Sequence, residues 1–394
     1  MFSRIKQFLP GSSRSLHTMH EEITQMHKEL AQMRKEFERL YDRIEIADHG
    51  INGNIDFKFE ERVLPKMKQL SDNLQAHDSH MKMFAWEQFR NNGETLVDAK
   101  KRFFSTLPKA TGGLRLLQIG CAKLLQEFDG ICEQSGIPYW LDYGTLLGAV
   151  RHKGFIPWDD DVDLGMMRED IDRLVKAIGN DERYRITTVY DKYACCKQIR
   201  FAYSDTDIPC FLDLFIYDWM PYSSPDKLAK QQEIRKCLLD KFKKDTLFDF
   251  WNNEPYLSSN DVRSSLIADA FDRCVTEAKD DDIICESNRA SAIIWGVDNV
   301  ASGQQRWWSC ARKDIFPLEK LEFEGIQLNA PHNYDSILKS QYGTYLDLPK
   351  DIHTHFQHVD HALLNTPETE EALKALSHDY PGLHRQGRQA DAHP

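Results

Sequence analysis

The chain has 394 residues, of which 41% are hydrophobic and 28% charged, and its formal net charge is -12. This composition is typical of a soluble globular protein, and the length indicates two or three domains. An acidic chain lacks the basic surface that nucleic acid requires, so nucleic acid is not an expected partner. No stretch approaches the ~18 apolar residues of a membrane span, which favours a cytoplasmic protein with at most peripheral contact at the inner face of a membrane.

The first hundred residues carry a heptad pattern. Apolar residues recur at alternating spacings of three and four from Leu16 to Ile44, as in a coiled coil. In this frame Glu29 occupies a g position and Arg34 the following e position, a pair that can bridge two parallel chains. The pattern therefore predicts a homo-oligomer through residues 1–100. An intramolecular hairpin and an amphipathic helix that packs on the rest of the chain are the alternatives. A second heptad-like series follows a turn-rich break at 48–54.

Residues 101–365 read as a second region with globular composition. Helical spacing of apolar residues over 114–131 predicts a helix, which ends before Gly136-Ile137-Pro138 and is followed by the strand Tyr139-Trp140-Leu141. Residues 366–394 are polar and predict a partly disordered tail that begins with a short helix over 370–377. The nine cysteines include no C-x-x-C pair, so reduced and mostly buried thiols are expected.

Acidic residues crowd the segment Trp158-Asp159-Asp160-Asp161-Val162-Asp163-Leu164. If the segment is a strand, Asp161 and Asp163 point to one face, Asp159 shares their parity, and Asp160 points away. Carboxylates held together in an apolar run need a cation, and Mg²⁺ or Mn²⁺ with its preference for oxygen ligands fits that need. The segment therefore predicts a metal site with Asp161 and Asp163 as ligands and Asp159 as a further or outer ligand.

Two more features converge on this site. Gly144-Thr145 stands where a strand gives way to a helix, a position whose backbone N–H groups attract phosphate. Asp213 is the one interior charge of the apolar run 210–217, which reads as a central strand. A buried aspartate needs a partner, and a metal shared with Asp161 and Asp163 supplies one, although a core salt bridge would also do so.

Basic residues and histidines supply candidate phosphate contacts. The candidates are Arg151, Lys153, Lys197, Arg200, His355 and His358. The first two follow the predicted helix after Gly144, the next two lie on the strand-like segment 194–203, and the histidines belong to a cluster near residue 358. A solvated basic loop and a helix with exposed histidines are the structural alternatives.

The order Gly-Thr, Asp-x-Asp and a later strand Asp is typical of nucleotidyltransferase-fold enzymes. The run from Leu146 to Asp163 resembles the signature of the LicD family, and the resemblance continues at 316–318, 321–325 and 342–346. It covers roughly 114–361 and excludes the heptad region. The resemblance implies an α/β (α+β) fold in which helices surround a nucleotidyltransferase-like mixed sheet, preceded here by the coiled coil.

The resemblance also implies an activity. Family members transfer a phospho-alcohol, such as phosphocholine or ribitol phosphate, from a CDP-activated donor to a glycan hydroxyl. The catalytic aspartates of the family carry over to Asp161, Asp163 and, by position, Asp213, and Asp159 also matches. A nucleotidyltransferase that forms a CDP-alcohol, and an inactive scaffold that works through its coiled coil, are the alternatives.

Overall fold

The computed structural model describes residues 13–47, 63–192, 196–253, 256–258, 261–299, 308–347, 358–360, 362–378 and 380. The chain divides into two compact units, Met1–Arg102 and Phe103–Pro394. Within the described ranges, no helix combines the length and the apolar character needed to cross a bilayer.

The first unit is helical. Its helices are α1 (Ser13–Ala47), α2 (Leu64–Phe89) and most of α3 (Leu96–Ser105). Three heptad residues in the second half of α1 stay partly exposed, with Leu30 at 41%, Phe37 at 46% and Leu40 at 40% of their full accessible surface. Leu70 of α2 lines the same surface cavity as Leu30 and Phe37. The heptads thus form helices, while their assembly into a coiled coil between chains stays a prediction. The break at 48–54 lies outside the described residues.

The second unit alternates helices and strands. Its helices after α3 are α4 (Gly112–Ser135), α5 (Tyr143–His152), α6 (Arg168–Ile178), α7 (Pro225–Lys244), α8 (Asp249–Asn253), α9 (Ser264–Asp280), α10 (Arg312–Ile315), α11 (Tyr334–Tyr342) and α12 (Pro367–Ser377). Its strands are β1 (Trp140–Leu141), β2 (Asp163–Met167), β3 (Tyr184–Asp191), β4 (Cys196–Tyr203), β5 (Phe211–Met220), β6 (Tyr256–Ser258), β7 (Ala292–Trp295), β8 (Ser309–Ala311), β9 (Glu319–Phe323) and β10 (Ile326–Ala330).

Eight strands form one mixed sheet, which confirms the predicted fold class. The order is β1-β2-β5-β4-β3-β6, and β7 also pairs with β5 and carries β8 on its other edge. The pair β2–β5 is parallel, and every other pair in the sheet is antiparallel. Strand β5 changes partner along its length: Phe211–Leu214 pairs with β4, and Tyr217–Met220 pairs with β7.

Local sequence explains the main element boundaries. Gly136 ends α4 in the left-handed conformation with φ 62°, which a glycine adopts without a steric cost. Ser224 caps α7 by accepting from Lys227 N–H, and Pro225 occupies the first helical turn, where no backbone donor is needed. The apolar run from Phe211 to Met220 is buried at nine of its ten positions, as expected for the central strand β5.

Helices α4 and α9 cover one face of the sheet. The Phe128 ring of α4 lies 5.2 Å from that of Phe201 on β4, and the Phe271 ring of α9 stacks 6.0 Å from that of Tyr190 on β3. Because side chains alternate along a strand, Arg200 points to the opposite face, and so does its register partner Asp213. That opposite face, next to α5 and α11, carries the aspartates.

The β9–β10 hairpin is tied to the rest of the unit by Glu324 at its turn. The Glu324 side chain is only 2% exposed and binds Arg115 through two hydrogen bonds of 3.0 and 2.7 Å and Lys109 at 2.7 Å. Its backbone N–H donates to Lys153 O at 2.8 Å, and its carbonyl accepts from the Tyr380 hydroxyl at 2.9 Å. One residue therefore joins α4, the end of α5 and the C-terminal segment.

The start of the predicted tail belongs to this folded unit. Helix α12 packs on α4, and Leu373 and Tyr380 are buried. The predicted short helix is present, although it begins at Pro367 rather than Glu370. The packed part of the unit thus reaches at least to Tyr380.

Candidate active site

Three carboxylates meet where β2 runs parallel to β5. Asp163 is the first residue of β2 and stands in register with Asp213 of β5. Asp161 lies two residues before the strand, and each of the three offers an oxygen within 4.8 Å of the others. All three side chains are buried. The structure therefore brings together the three residues that the sequence assigns to metal binding and catalysis.

The local geometry differs from the prediction at one point. The acidic run was predicted as a single strand, but β2 begins only at Asp163, so 159–162 form an irregular segment. Asp161 therefore reaches the cluster from a loop, and strand alternation does not explain its orientation.

Burial and mutual repulsion dominate the electrostatics of the cluster. Burial raises the pKa of Asp163 well above its usual value, and the charges of Asp161 and Asp213 raise it further. Burial likewise raises the pKa of Asp161, with Asp159 as the next contributor. Since like charges at this separation oppose ionisation, a cation bound beside Asp161 and Asp163 would favour their carboxylate forms.

Helix α5 positions Asp163. The Thr145 hydroxyl accepts from Asp163 N–H at 2.8 Å, and Gly144 N–H donates to Asp163 Oδ2 at 3.3 Å. A Cβ at residue 144 would lie 3.0 Å from Asp159 Oδ2, so a larger residue there would require that carboxylate to shift. Gly144 and Thr145, predicted as phosphate contacts, thus hold an aspartate in this structure.

Arg200 pairs with Asp213. Its Nε donates to Oδ1 at 2.7 Å and its Nη2 to Oδ2 at 3.5 Å, while its guanidinium lies 4.1 Å from the Phe211 ring centroid. Of the predicted basic residues, Arg200 is thus one that the structure brings to the carboxylates.

His358 is held beside the cluster by Asp160. Asp160 accepts from the backbone N–H groups of His358 and Val359 at 2.9 and 3.1 Å and lies 3.0 Å from His358 Nδ1. His358 Nδ1 also lies 3.2 Å from Asp161 Oδ2. Burial opposes protonation of this imidazole, but the bond to Asp160 and the charge of Asp161 raise the pKa of His358 above its usual value. Asp160, which was predicted to point away from Asp161 and Asp163, is 1% exposed and does not belong to the group of Asp161, Asp163 and Asp213.

The other predicted cations lie elsewhere. Lys153 Nζ is 3.4 Å from Glu322 on the β9–β10 hairpin. Lys197 Nζ is 3.8 Å from Asp298 Oδ1 and, by strand alternation, faces away from Arg200. Arg151 is buried with its guanidinium 3.5 Å from the Phe104 ring centroid, and burial lowers its pKa to about 10. His355 lies outside the described residues.

A further buried carboxylate, Asp142, supports the site and escaped the sequence reasoning. It accepts from Tyr217 Oη at 2.5 Å, from Gln341 Nε2 at 2.9 Å and from Tyr143 N–H at 2.9 Å. Burial raises the pKa of Asp142 to about 6 despite these bonds. An Asp directly before a predicted helix start is an N-cap signal, which could have identified it. Its neighbours connect α5, β5 and α11 behind Asp163.

The residues present fit a hard divalent cation. Three buried carboxylate oxygens within 4.8 Å of one another are the donor set that Mg²⁺ or Mn²⁺ prefers. Arg200 compensates only Asp213, so the cluster retains negative charge for a cation to neutralise. Asp159 contributes no oxygen to this group in the structure, and its place as a ligand stays a prediction.

The amino-acid sequence is similar to known proteins of one family. A family profile described as LicD/FKTN/FKRP, nucleotidyltransferase domain, matches residues 136–255. Lipopolysaccharide cholinephosphotransferase LicD of Haemophilus influenzae is 29% identical over 292 residues, which cover 64% of this chain and 98% of that protein. Human ribitol 5-phosphate transferase FKRP is 50% identical over 69 residues, and mouse ribitol-5-phosphate transferase FKTN is 44% identical over 48 residues. These two matches cover only 12% and 10% of the relatives' lengths. The chain therefore carries a LicD-family domain and is homologous to cholinephosphotransferases and ribitol-phosphate transferases of that family.

Proposed function

We propose that this LicD-like transferase moves a phospho-alcohol from a CDP-activated donor to a glycan hydroxyl in a divalent-metal-dependent reaction. The observation that carries the proposal is the buried group of Asp161, Asp163 and Asp213, whose oxygens lie within 4.8 Å of one another. The homology supports the reaction class, because the relatives are named for transfer of phosphocholine or ribitol phosphate.

Asp161, Asp163 and Asp213 are the residues that would hold Mg²⁺ or Mn²⁺. A cation bound there supplies neutralisation of the charge on the donor diphosphate as the bond to the CMP leaving group breaks. The protein's own part is to keep the carboxylates in place. Thr145 and Gly144 fix Asp163, and Arg200 fixes Asp213.

His358 and Asp213 are the groups placed to handle protons or hydrogen bonds at the reacting phosphate. The imidazole lies between Asp160 and Asp161 and favours its protonated form, which suits donation to a phosphate oxygen. We assign Asp213 to accept the proton of the acceptor hydroxyl. The two hydrogen bonds from Arg200 do not use all the lone pairs of the Asp213 carboxylate, so its oxygens can still accept.

A donor screen tests the proposal. The full chain is incubated with CDP-choline, CDP-ribitol or CDP-glycerol and Mg²⁺, with and without glycan acceptors, and CMP release is followed. We expect release from at least one donor, loss of that release in Asp163→Ala, and no change in Asp205→Ala, which alters an exposed aspartate outside the site. No CMP from any donor, with the wild type matching Asp163→Ala, would contradict the proposal.

A second assay, which follows pyrophosphate release, separates the alternatives. An enzyme that forms a CDP-alcohol would release pyrophosphate from CTP and phosphocholine, and the matched profile is described as a nucleotidyltransferase domain. Pyrophosphate release without CMP release would replace phospho-alcohol transfer by nucleotidyl transfer. Inactivity in both assays would favour the hypothesis of an inactive scaffold that works through its coiled coil.

A further inference from the structure

Asp142 stands between strand β1 and helix α5, directly before the residues that hold Asp163. Its side chain is buried, with 1% of its surface exposed. Tyr217 Oη donates to Asp142 Oδ2 at 2.5 Å, and Gln341 Nε2 donates to Oδ1 at 2.9 Å. The N–H of Tyr143 also donates to Oδ1, at 2.9 Å. Strand β5, helix α11 and the first turn of α5 are therefore joined at one carboxylate.

The residue after Asp142 has a strained backbone. Tyr143 has φ 37°, a left-handed conformation that costs a non-glycine residue free energy and persists only where the surroundings enforce it. The Asp142 carboxylate holds the Tyr143 N–H, and the tyrosine ring packs with its centroid 5.0 Å from that of Phe215. A return of Tyr143 to an ordinary negative φ would change the direction of the chain that follows it.

The residues on both sides of Tyr143 hold Asp163. Gly144 N–H donates to Asp163 Oδ2 at 3.3 Å, and the Thr145 hydroxyl accepts from Asp163 N–H at 2.8 Å. The N–H of Asp142 donates to the Asp163 carbonyl at 3.0 Å. Because Tyr143 lies between these contacts, its left-handed conformation decides whether Gly144 and Thr145 can reach Asp163 while Asp142 stays in place.

We propose that Asp142 is a positioning residue for Asp163, and that it acts by holding Tyr143 in the left-handed conformation. This inference rests on the proposed function, because it takes Asp163 to be a ligand of a divalent cation. Groups that orient a metal ligand commonly change metal affinity ten- to a hundredfold when they are altered. The side chain of Asp142 acts through Tyr143 and the turn of α5, so its loss should weaken cation binding without removing a ligand.

Calorimetric titration of Mn²⁺ into the full chain tests the proposal without relying on turnover. We expect Asp142→Ala to weaken Mn²⁺ binding at least about tenfold. Asp142→Asn removes the charge but keeps an oxygen for the Tyr143 N–H and offers an amide to Tyr217 Oη, so its affinity should stay within about threefold of the wild type. The matched control is Asp129→Ala on α4, which removes another aspartate that accepts from a tyrosine, Tyr139 at 2.6 Å, and should leave the affinity unchanged.

The contribution of Tyr143 is tested by a double-mutant cycle. Glycine adopts a left-handed φ without a steric cost, so in a Tyr143→Gly background the loss caused by Asp142→Ala should shrink to less than about threefold. Hydrogen exchange of the metal-free protein gives a second measurement. Asp142→Ala should speed exchange selectively at the N–H groups of 143–145 and 163, whereas a general loss of stability would speed it throughout the second unit.

Equal Mn²⁺ affinities of the wild type and Asp142→Ala would overturn the positioning role. An equally large loss in Asp142→Asn would assign the effect to charge, and an undiminished loss in the Tyr143→Gly background would remove Tyr143 from the account; either result also overturns the proposal. A wild type that binds Mn²⁺ but releases no CMP would retain the positioning role and reject the transfer reaction. A wild type that binds no Mn²⁺ would reject the metal site, and uniform rather than selective hydrogen exchange would then reject the role of Asp142 as well.

Discussion

Replacing Asp163 by asparagine should stabilise the metal-free protein. Asp163 is buried, its oxygens lie within 4.8 Å of Asp161 and Asp213, and among the described residues no basic side chain forms a salt bridge with it. At an effective dielectric constant of about 20, two unit charges at that distance repel by about 3 kcal/mol. Partial protonation relieves part of this repulsion, so we expect Asp163→Asn to gain about 2 kcal/mol, or roughly 4–8 °C in Tm.

The pH dependence of this gain has a defined sign. The folded-state pKa of Asp163 is raised, so the wild type loses stability as pH rises from the usual carboxyl pKa near 4 towards the folded value. The advantage of Asp163→Asn should therefore be smaller at pH 5 than at pH 8. Thermal unfolding in EDTA at both pH values measures it.

Asp218 offers the matched control. It is also a buried aspartate on the same sheet, but it forms two hydrogen bonds with Arg168 at 2.6 and 2.7 Å. Asp218→Asn should lower stability by about 2 kcal/mol, because it leaves the partly buried Arg168 guanidinium less well paired. Mg²⁺ should raise the Tm of the wild type and of Asp218→Asn, but not that of Asp163→Asn. If Asp163→Asn unfolded below the wild type in EDTA at pH 8, uncompensated repulsion would be the wrong account of the cluster.

Three further predictions concern packing, pH and assembly. Gly165→Ala places a Cβ 2.3 Å from the Trp140 ring, so it should lower the free energy of unfolding, measured by chemical denaturation, by at least about 3 kcal/mol. The control Gly130→Ala, whose Cβ would have nothing within 4 Å, should be neutral or stabilising. Burial lowers the pKa of His152 from 6.5 to about 4, so the stability that neutral His152 contributes is present above pH 6.5 and is lost as pH falls towards 4. Between pH 7 and 5 the free energy of unfolding of the wild type should therefore fall by about 2 kcal/mol more than that of His152→Gln. Equal losses in the two proteins would contradict this. Light scattering of the wild type at micromolar concentration should give the mass of two or more chains. Leu30→Lys changes an α1 side chain that is 41% exposed in one chain, and it should give the mass of one chain. A wild type with the mass of one chain would rule out a stable oligomer.

The carboxylate cluster was predictable because each member leaves a local signal. Asp161 and Asp163 stand out by their spacing, and Asp213 by being the single charge inside an apolar strand. The structure brings these three together. The sequence also predicts that Lys197 and Arg200 lie on opposite faces of the sheet, because they are three residues apart on one strand and side chains alternate along a strand. Sequence reasoning named both as phosphate contacts and overlooked this alternation.

The remaining features depend on contacts between distant residues. Asp160 binds His358 and Val359, which lie 198 and 199 positions later, so no local pattern reveals that it is buried. Asp161 likewise follows a loop whose course depends on this anchor. Glu324 forms an ion pair with Arg115, which lies 209 positions earlier, and the residues flanking each of them do not predict this pair. Such pairs form only when the complete unit is folded.

The Glu324 anchor bears on how much of the chain is needed for a working site. The family profile ends at residue 255, yet Glu324 N–H binds Lys153 O and its carboxylate binds Phe155 N–H at 3.3 Å, just ahead of the acidic loop. His358 comes from still further along the chain. A fragment that stops at residue 255 would leave Arg115 without its carboxylate partner and the acidic loop without two of its attachments. The matched region is thus a part of a larger cooperative folding unit, and the smallest autonomous catalytic piece should extend to Tyr380.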